Sequence, residues 1–105
     1  MDKRKPEIIF KKKAIISINN TSAYIHEKGY PEITEKFAGK MYQFGHSLNN
    51  LPGKYPICKQ PQLASRKMRC AVFNKTYIFV YKLVENKLII YNIIHGKRDP
   101  EYFFA

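Results

Sequence analysis

Between residues 33 and 51 the apolar side chains Ile33, Phe37, Met41, Phe44, Leu48 and Leu51 recur at spacings of four, four, three, four and three. A helix advances 100° per residue, so these positions fall on one stripe over about five turns. No strand can use that pattern, because a strand turns its side chains to alternate faces. The stripe predicts an amphipathic helix that must bury one face against something else. Pro31 suits its first turn, and Glu32 and Glu35 complement the positive end of the helix dipole. Asn49-Asn50-Leu51-Pro52-Gly53 ends it. Gly39 and Gly45 each cost roughly 1 kcal/mol relative to alanine, which close approach of a neighbouring helix can offset.

A second helical segment precedes it. From Lys12 onward Ile15, Ile18, Ser22 and Ile25 fall at spacings of three, four and three, and Gly29 stops the segment. The two helices, joined by a short connection, predict an antiparallel hairpin. Ahead of them, Glu7-Ile8-Ile9-Phe10 reads as either an edge strand or the lead-in to the first helix. Behind them, residues 53–68 are irregular, with Pro56 and Pro61 scattered among cations. Three strand-like runs follow, Arg69–Phe73, Tyr77–Val84 and Leu88–Ile94, linked by the short polar turns Asn74-Lys75-Thr76 and Glu85-Asn86-Lys87. The expectation is one α+β domain over residues 1–105. Its helical hairpin packs on one face of a twisted, mainly antiparallel β-sheet of three to four strands. The other sheet face, rimmed by the basic loop, is left for a partner.

Charge narrows the partner. The chain carries 19 Lys and Arg against eight Asp and Glu, for a net +11. Residues 14–51 are neutral, whereas residues 52–98 hold ten cations against Glu85 alone, a net +9. Such a surface attracts polyanions, nucleic acid first and acidic protein second, the bland alternative being a solvated face kept for solubility. No apolar run reaches the roughly 18 residues of a membrane helix, and the basic N-terminus is not followed by a signal-like apolar segment, so the expected location is the cytoplasm, with no membrane partner. Cys58 and Cys70 are too few for a disulfide framework or a four-ligand zinc site; reduced thiols are expected, with Cys70 a small core residue. His26, His46 and His95 lie on three separate elements, and there is no glycine-rich phosphate loop. No metal or organic cofactor is implied.

The tail carries a resemblance. Asn92-Ile93-Ile94-His95-Gly96-Lys97-Arg98-Asp99-Pro100-Glu101, with the apolar Tyr102-Phe103-Phe104 after it, resembles the closing pattern of the ParE/RelE superfamily, the toxins of type II toxin–antitoxin systems. Ser22-Ala23-Tyr24-Ile25 and Gly29 to Phe37 resemble the end of that family's first helix and the start of its second. Asn50-Leu51-Pro52 resembles its helix exit, and Tyr77–Tyr81 its penultimate strand. The resemblance implies a ParE/RelE-like fold and a cognate antitoxin that holds the toxin inactive. It implies one of two activities: a ribosome-dependent mRNA endonuclease, taken first, or a ParE-type DNA gyrase inhibitor without nuclease activity. A non-toxic basic RNA-binding module is the third reading.

Cleavage of RNA through its 2′-hydroxyl needs a base, cations for the charge building on phosphate, and an acid for the leaving oxygen. Under the resemblance, Arg98 is the candidate phosphate clamp and Arg69 its partner. His95 is the candidate proton-transfer group and Tyr102 a stacking or catalytic aromatic. Lys54, Lys59, Arg66 and Lys97 are the candidate RNA- and phosphate-binding cations. Each has a bland alternative: an ion pair with Asp99 or Glu101 for Arg98, a structural role for His95, core packing for Tyr102, and solvation for the lysines.

Overall fold

The computed structural model describes residues 5–29 and 31–96. The elements run β1 (Glu7–Phe10), α1 (Lys12–Glu27), α2 (Pro31–Ser47), α3 (Pro61–Ala64), β2 (Arg69–Phe73), β3 (Tyr77–Val84) and β4 (Lys87–His95). The sheet order is β1-β4-β3-β2. β2, β3 and β4 form the expected antiparallel meander, and β1 adds to β4 in parallel, with Ile8 opposite Leu88 and Phe10 opposite Ile90. Of its two readings, the segment 7–10 is therefore the edge strand. A bulge between Val80 and Tyr81 shifts the β3–β4 register, so that Val80 faces Asn92 while Tyr81 faces Ile90. Both hairpin turns use left-handed backbone at non-glycine residues, Asn74 and Lys75 in one and Glu85 in the other. That conformation matches the twist of the flanking strands.

The helices pack on one sheet face. Ala14, Ile18, Met41 and Leu48 meet Ala71, Phe79, Tyr81, Leu88, Ile90 and Ile93 in the main core, with the rings of Phe10, Phe37, Phe44 and Phe73 around it. The buried face of α1 is centred on Ala14, Ile18 and Thr21; Ser22 sits at its edge, half-buried, and Ile15 is exposed. The centre of the buried face is thus turned by about 50° from the expected one, half the step between neighbouring residues. In α2 the stripe holds through Met41, Phe44 and Leu48 but not to Leu51, which is 66% exposed. The helix ends at Ser47. The next amides, of Leu48, Asn49 and Asn50, bond back to carbonyls three residues earlier, tightening the turn and swinging Leu51 off the stripe. Gly45 does permit a close approach, but by Phe10 and Ile90 of the sheet rather than by α1, and nothing lies within 4 Å of a Cβ placed on Gly39.

The second sheet face departs most from expectation. It is covered in part by the chain itself. Cys58, Met68, Ile78, Val80 and Ile94 form a second buried cluster, joined by Leu63, Cys70 and Tyr91. The loop after α2 turns back beside β2, bridging Ile57 to Arg69, and carries the one-turn helix α3. This brings Cys58 diagonally across from Cys70 on the same face, and the two are joined in a disulfide with Cα atoms 5.0 Å apart. The expectation of reduced thiols is corrected accordingly. A pairing made by an irregular loop returning to a strand edge leaves no periodicity to read.

Candidate functional site

Arg69 opens β2 and, by strand alternation, shares the helix-side face with Ala71. Its register partner is Tyr81. The Arg69 Nη1 donates to the backbone carbonyl of Tyr55 at 2.5 Å, and the Tyr81 hydroxyl donates to the carbonyl of Pro52 at 2.6 Å. Both bonds fasten the segment leaving α2 to the sheet. Tyr81 is fully buried. Burial pushes its hydroxyl above the ordinary tyrosine value of 10.0, against a smaller opposing pull from the Arg69 charge. Lys54 holds its ammonium 5.4 Å from the Tyr55 ring centre. Arg69 and Lys54 thus meet at one corner, through Tyr55. Tyr55 and Tyr81 were not among the sequence candidates; their chemistry comes from a loop-to-strand contact.

His95 stands at the opposite end of the sheet. It closes β4 opposite Tyr77, whose ring it meets edge-on at 5.0 Å. Arg69 is level with Tyr81, and His95 is level with Phe73 through Tyr77. Four residues of strand separate those levels, roughly 13 Å along the strands and roughly 10 Å across two strand spacings. Beside His95 a cleft of about 320 Å³ opens between α1 and β4, lined among others by Lys13, Ser17, Asn20, Asn92 and Tyr77. Ser17 Oγ donates to Asn92 Oδ1 at 3.2 Å, and the same oxygen accepts the Ile93 amide at 2.8 Å. Lys59 and Arg66 are exposed on the loop that covers the second face. Arg98, Tyr102 and Lys97 lie outside the described residues. Among the described residues no group of three His, Cys, Asp or Glu could hold a metal ion, and no helix is long and apolar enough to cross a membrane.

The chain is similar to a solved structure of the chromosomal ParDE TA system from P. aeruginosa, with a TM-score of 0.74 over 87% of this chain and 96% of that chain, at 12% identity. The chain has a ParE/RelE-like fold. No family model matches the sequence, and no curated protein sequence matches it. In this ParE/RelE-like frame, the described candidates divide into three places: Arg69 with Lys54 at the α2 exit, Lys59 with Arg66 on the covering loop, and His95 in the wall of the α1–β4 cleft.

Proposed function

We propose that this chain is the toxin of a type II toxin–antitoxin pair, and that it acts as a ParE-type inhibitor of DNA gyrase, held in check by a cognate antitoxin. The observation that carries the finer reading is the separation of Arg69 from His95. Base, acid and phosphate clamp must converge on one phosphate for a 2′-hydroxyl to attack it. Arg69 instead directs one guanidinium nitrogen to the Tyr55 carbonyl, and His95 packs on Tyr77 at the far end of the sheet. The likeness to the ParDE TA system supports the toxin reading. The net +9 of residues 52–98 supports a partner segment rich in Asp and Glu.

The second reading, a ribosome-dependent mRNA endonuclease, is favoured by that same charge and by Lys54, Lys59, Arg66 and Lys97, which match phosphate in sign. One experiment separates the two. Purified chain is added to a gyrase supercoiling reaction and, in parallel, to a reconstituted translation reaction read by primer extension. The gyrase reading expects lost supercoiling and intact mRNA. Cuts at A-site codons that vanish in Arg98→Ala, with supercoiling untouched, would overturn it.

A further inference from the structure

Residues 56–68 form a flap over the second sheet face. Its backbone is anchored at two bonds, Cys58 N–H to the Met68 carbonyl at 2.8 Å and Cys70 N–H to the Pro56 carbonyl at 3.1 Å. Between these anchors the flap's own bonds are local: the amides of Leu63, Ala64, Ser65, Arg66, Lys67 and Met68 donate to carbonyls of Gln60, Pro61, Leu63 and Ala64, so they tie the flap to itself rather than to the sheet. α3 is a single turn with no buried residue, and Gln60 ahead of it makes no side-chain cap; a helix that short does not persist alone. Lys67 holds a φ of 60°, a conformation unfavourable for a residue with a Cβ. The flap also carries Lys59, Arg66 and Lys67, and no Asp or Glu occurs between residues 36 and 84 to answer them. The Cys58–Cys70 disulfide closes a ring that contains residues 59–67.

We infer that the Cys58–Cys70 pair is a thiol-controlled clamp. Oxidised, it keeps the flap seated on Ile78, Val80 and Ile94; reduced, it lets residues 59–67 lift and bares that apolar face. The reductant is a dithiol. Cys58 is 3% exposed, whereas Cys70 is more open and its strand neighbour Val72 is exposed, so the attack falls on Cys70. The reductant's thiolate bonds to Cys70 Sγ as the Cys58–Cys70 bond breaks, and Cys58 leaves as a thiolate that takes a proton from water. The reductant's second thiol then displaces Cys70 and departs as a disulfide, so two electrons pass to the chain. This inference does not depend on the toxin's target.

The test is limited trypsin digestion of the full chain, equilibrated with either reduced or oxidised dithiothreitol. Digests are quenched, reduced and read by mass spectrometry. Reduction is expected to speed cutting after Lys59, Arg66 and Lys67 by about tenfold or more, as local opening exposes those bonds, while cutting after Lys36 and Lys40 in α2 stays unchanged. The double variant Cys58→Ser/Cys70→Ser should digest like the reduced chain in both buffers. Should that variant fail to fold, the wild-type pair of digests decides alone. Equal rates at the three flap bonds would overturn the clamp. So would a rise at Lys36 and Lys40 as large as at the flap, which would make the disulfide a staple of the whole fold.

Discussion

The ring of Phe10 occupies the space that a side chain at Gly45 would need. A Cβ built on Gly45 would stand 2.5 Å from Phe10 Cζ and 3.1 Å from Ile90 Cδ1. Phe10 cannot retreat easily, since its ring already sits 5.1 Å from Tyr42 and 5.5 Å from His46, centre to centre. Gly45→Ala should therefore lower stability by about 1–2 kcal/mol, the cost of overpacking less the gain in helix propensity. Gly39→Ala, in the same helix with open space around it, should raise stability by about 0.5–1 kcal/mol. Urea unfolding of the two variants checks the opposite signs; two changes of the same sign would contradict the packing described.

Ser22 makes a similar comparison inside α1. Its Oγ is buried and has no hydrogen-bond partner among the described residues. A buried hydroxyl left unpaired costs about 1–3 kcal/mol, and alanine is the better helix former. Ser22→Ala should raise the unfolding midpoint, in thermal or urea melts, by an amount equal to about 1 kcal/mol. A lowered midpoint would mean that the hydroxyl has a partner after all.

Ser22 also marks where sequence reading stops. Its spacing placed it at the centre of the buried face with Ile15, yet Thr21 and Ala14 hold that centre and Ser22 lies at its edge. Periodicity finds a helix but does not fix its rotation when the neighbours are a helix on one side and a sheet on the other. The strands were legible because their pattern is local: Arg69–Phe73 and Tyr77–Val84 match the expected bounds. The turn residues Asn74 and Glu85 were legible as polar links, though not as left-handed ones. The flap was not legible, because the bonds from Cys58 to Met68 and from Cys70 to Pro56 obey no period and depend on a loop finding a strand edge. The candidate site shows the same division. Arg69 was read as a residue facing a groove, but the carbonyl it serves belongs to Tyr55, fourteen positions away.

Tyr81 supplies a pH dependence. Burial holds its hydroxyl proton more tightly in the folded chain than in the unfolded one. Below pH 10.0 both states are protonated and its contribution is whole; as pH rises above that value the unfolded chain loses the proton first, so folding stability falls. Tyr81→Phe removes the titrating group and also the 2.6 Å bond to Pro52. It should cost about 1–2 kcal/mol near neutral pH and flatten the decline above pH 10.0 relative to wild type. Urea midpoints measured from pH 7 to pH 11.5 check both effects, and an undiminished alkaline slope in the variant would count against the assignment to Tyr81.

Arg69 tests the proposed function where it is most exposed. If its guanidinium serves the Tyr55 carbonyl, Arg69→Ala should lose about 1–3 kcal/mol of stability, the worth of a charge-assisted bond to a partly buried acceptor. Assayed well below its melting temperature, the folded variant should inhibit gyrase supercoiling at the same half-inhibitory concentration as wild type. A phosphate clamp behaves otherwise: removing a cation that stabilises transition-state charge costs about 10²–10³ in rate while leaving the fold intact. The two outcomes are measured on one protein preparation, by thermal melting and by supercoiling inhibition alongside primer extension. A variant that melts like wild type but loses A-site cleavage by that factor would move Arg69 from the frame of the molecule to its chemistry, and with it the function from capture to catalysis.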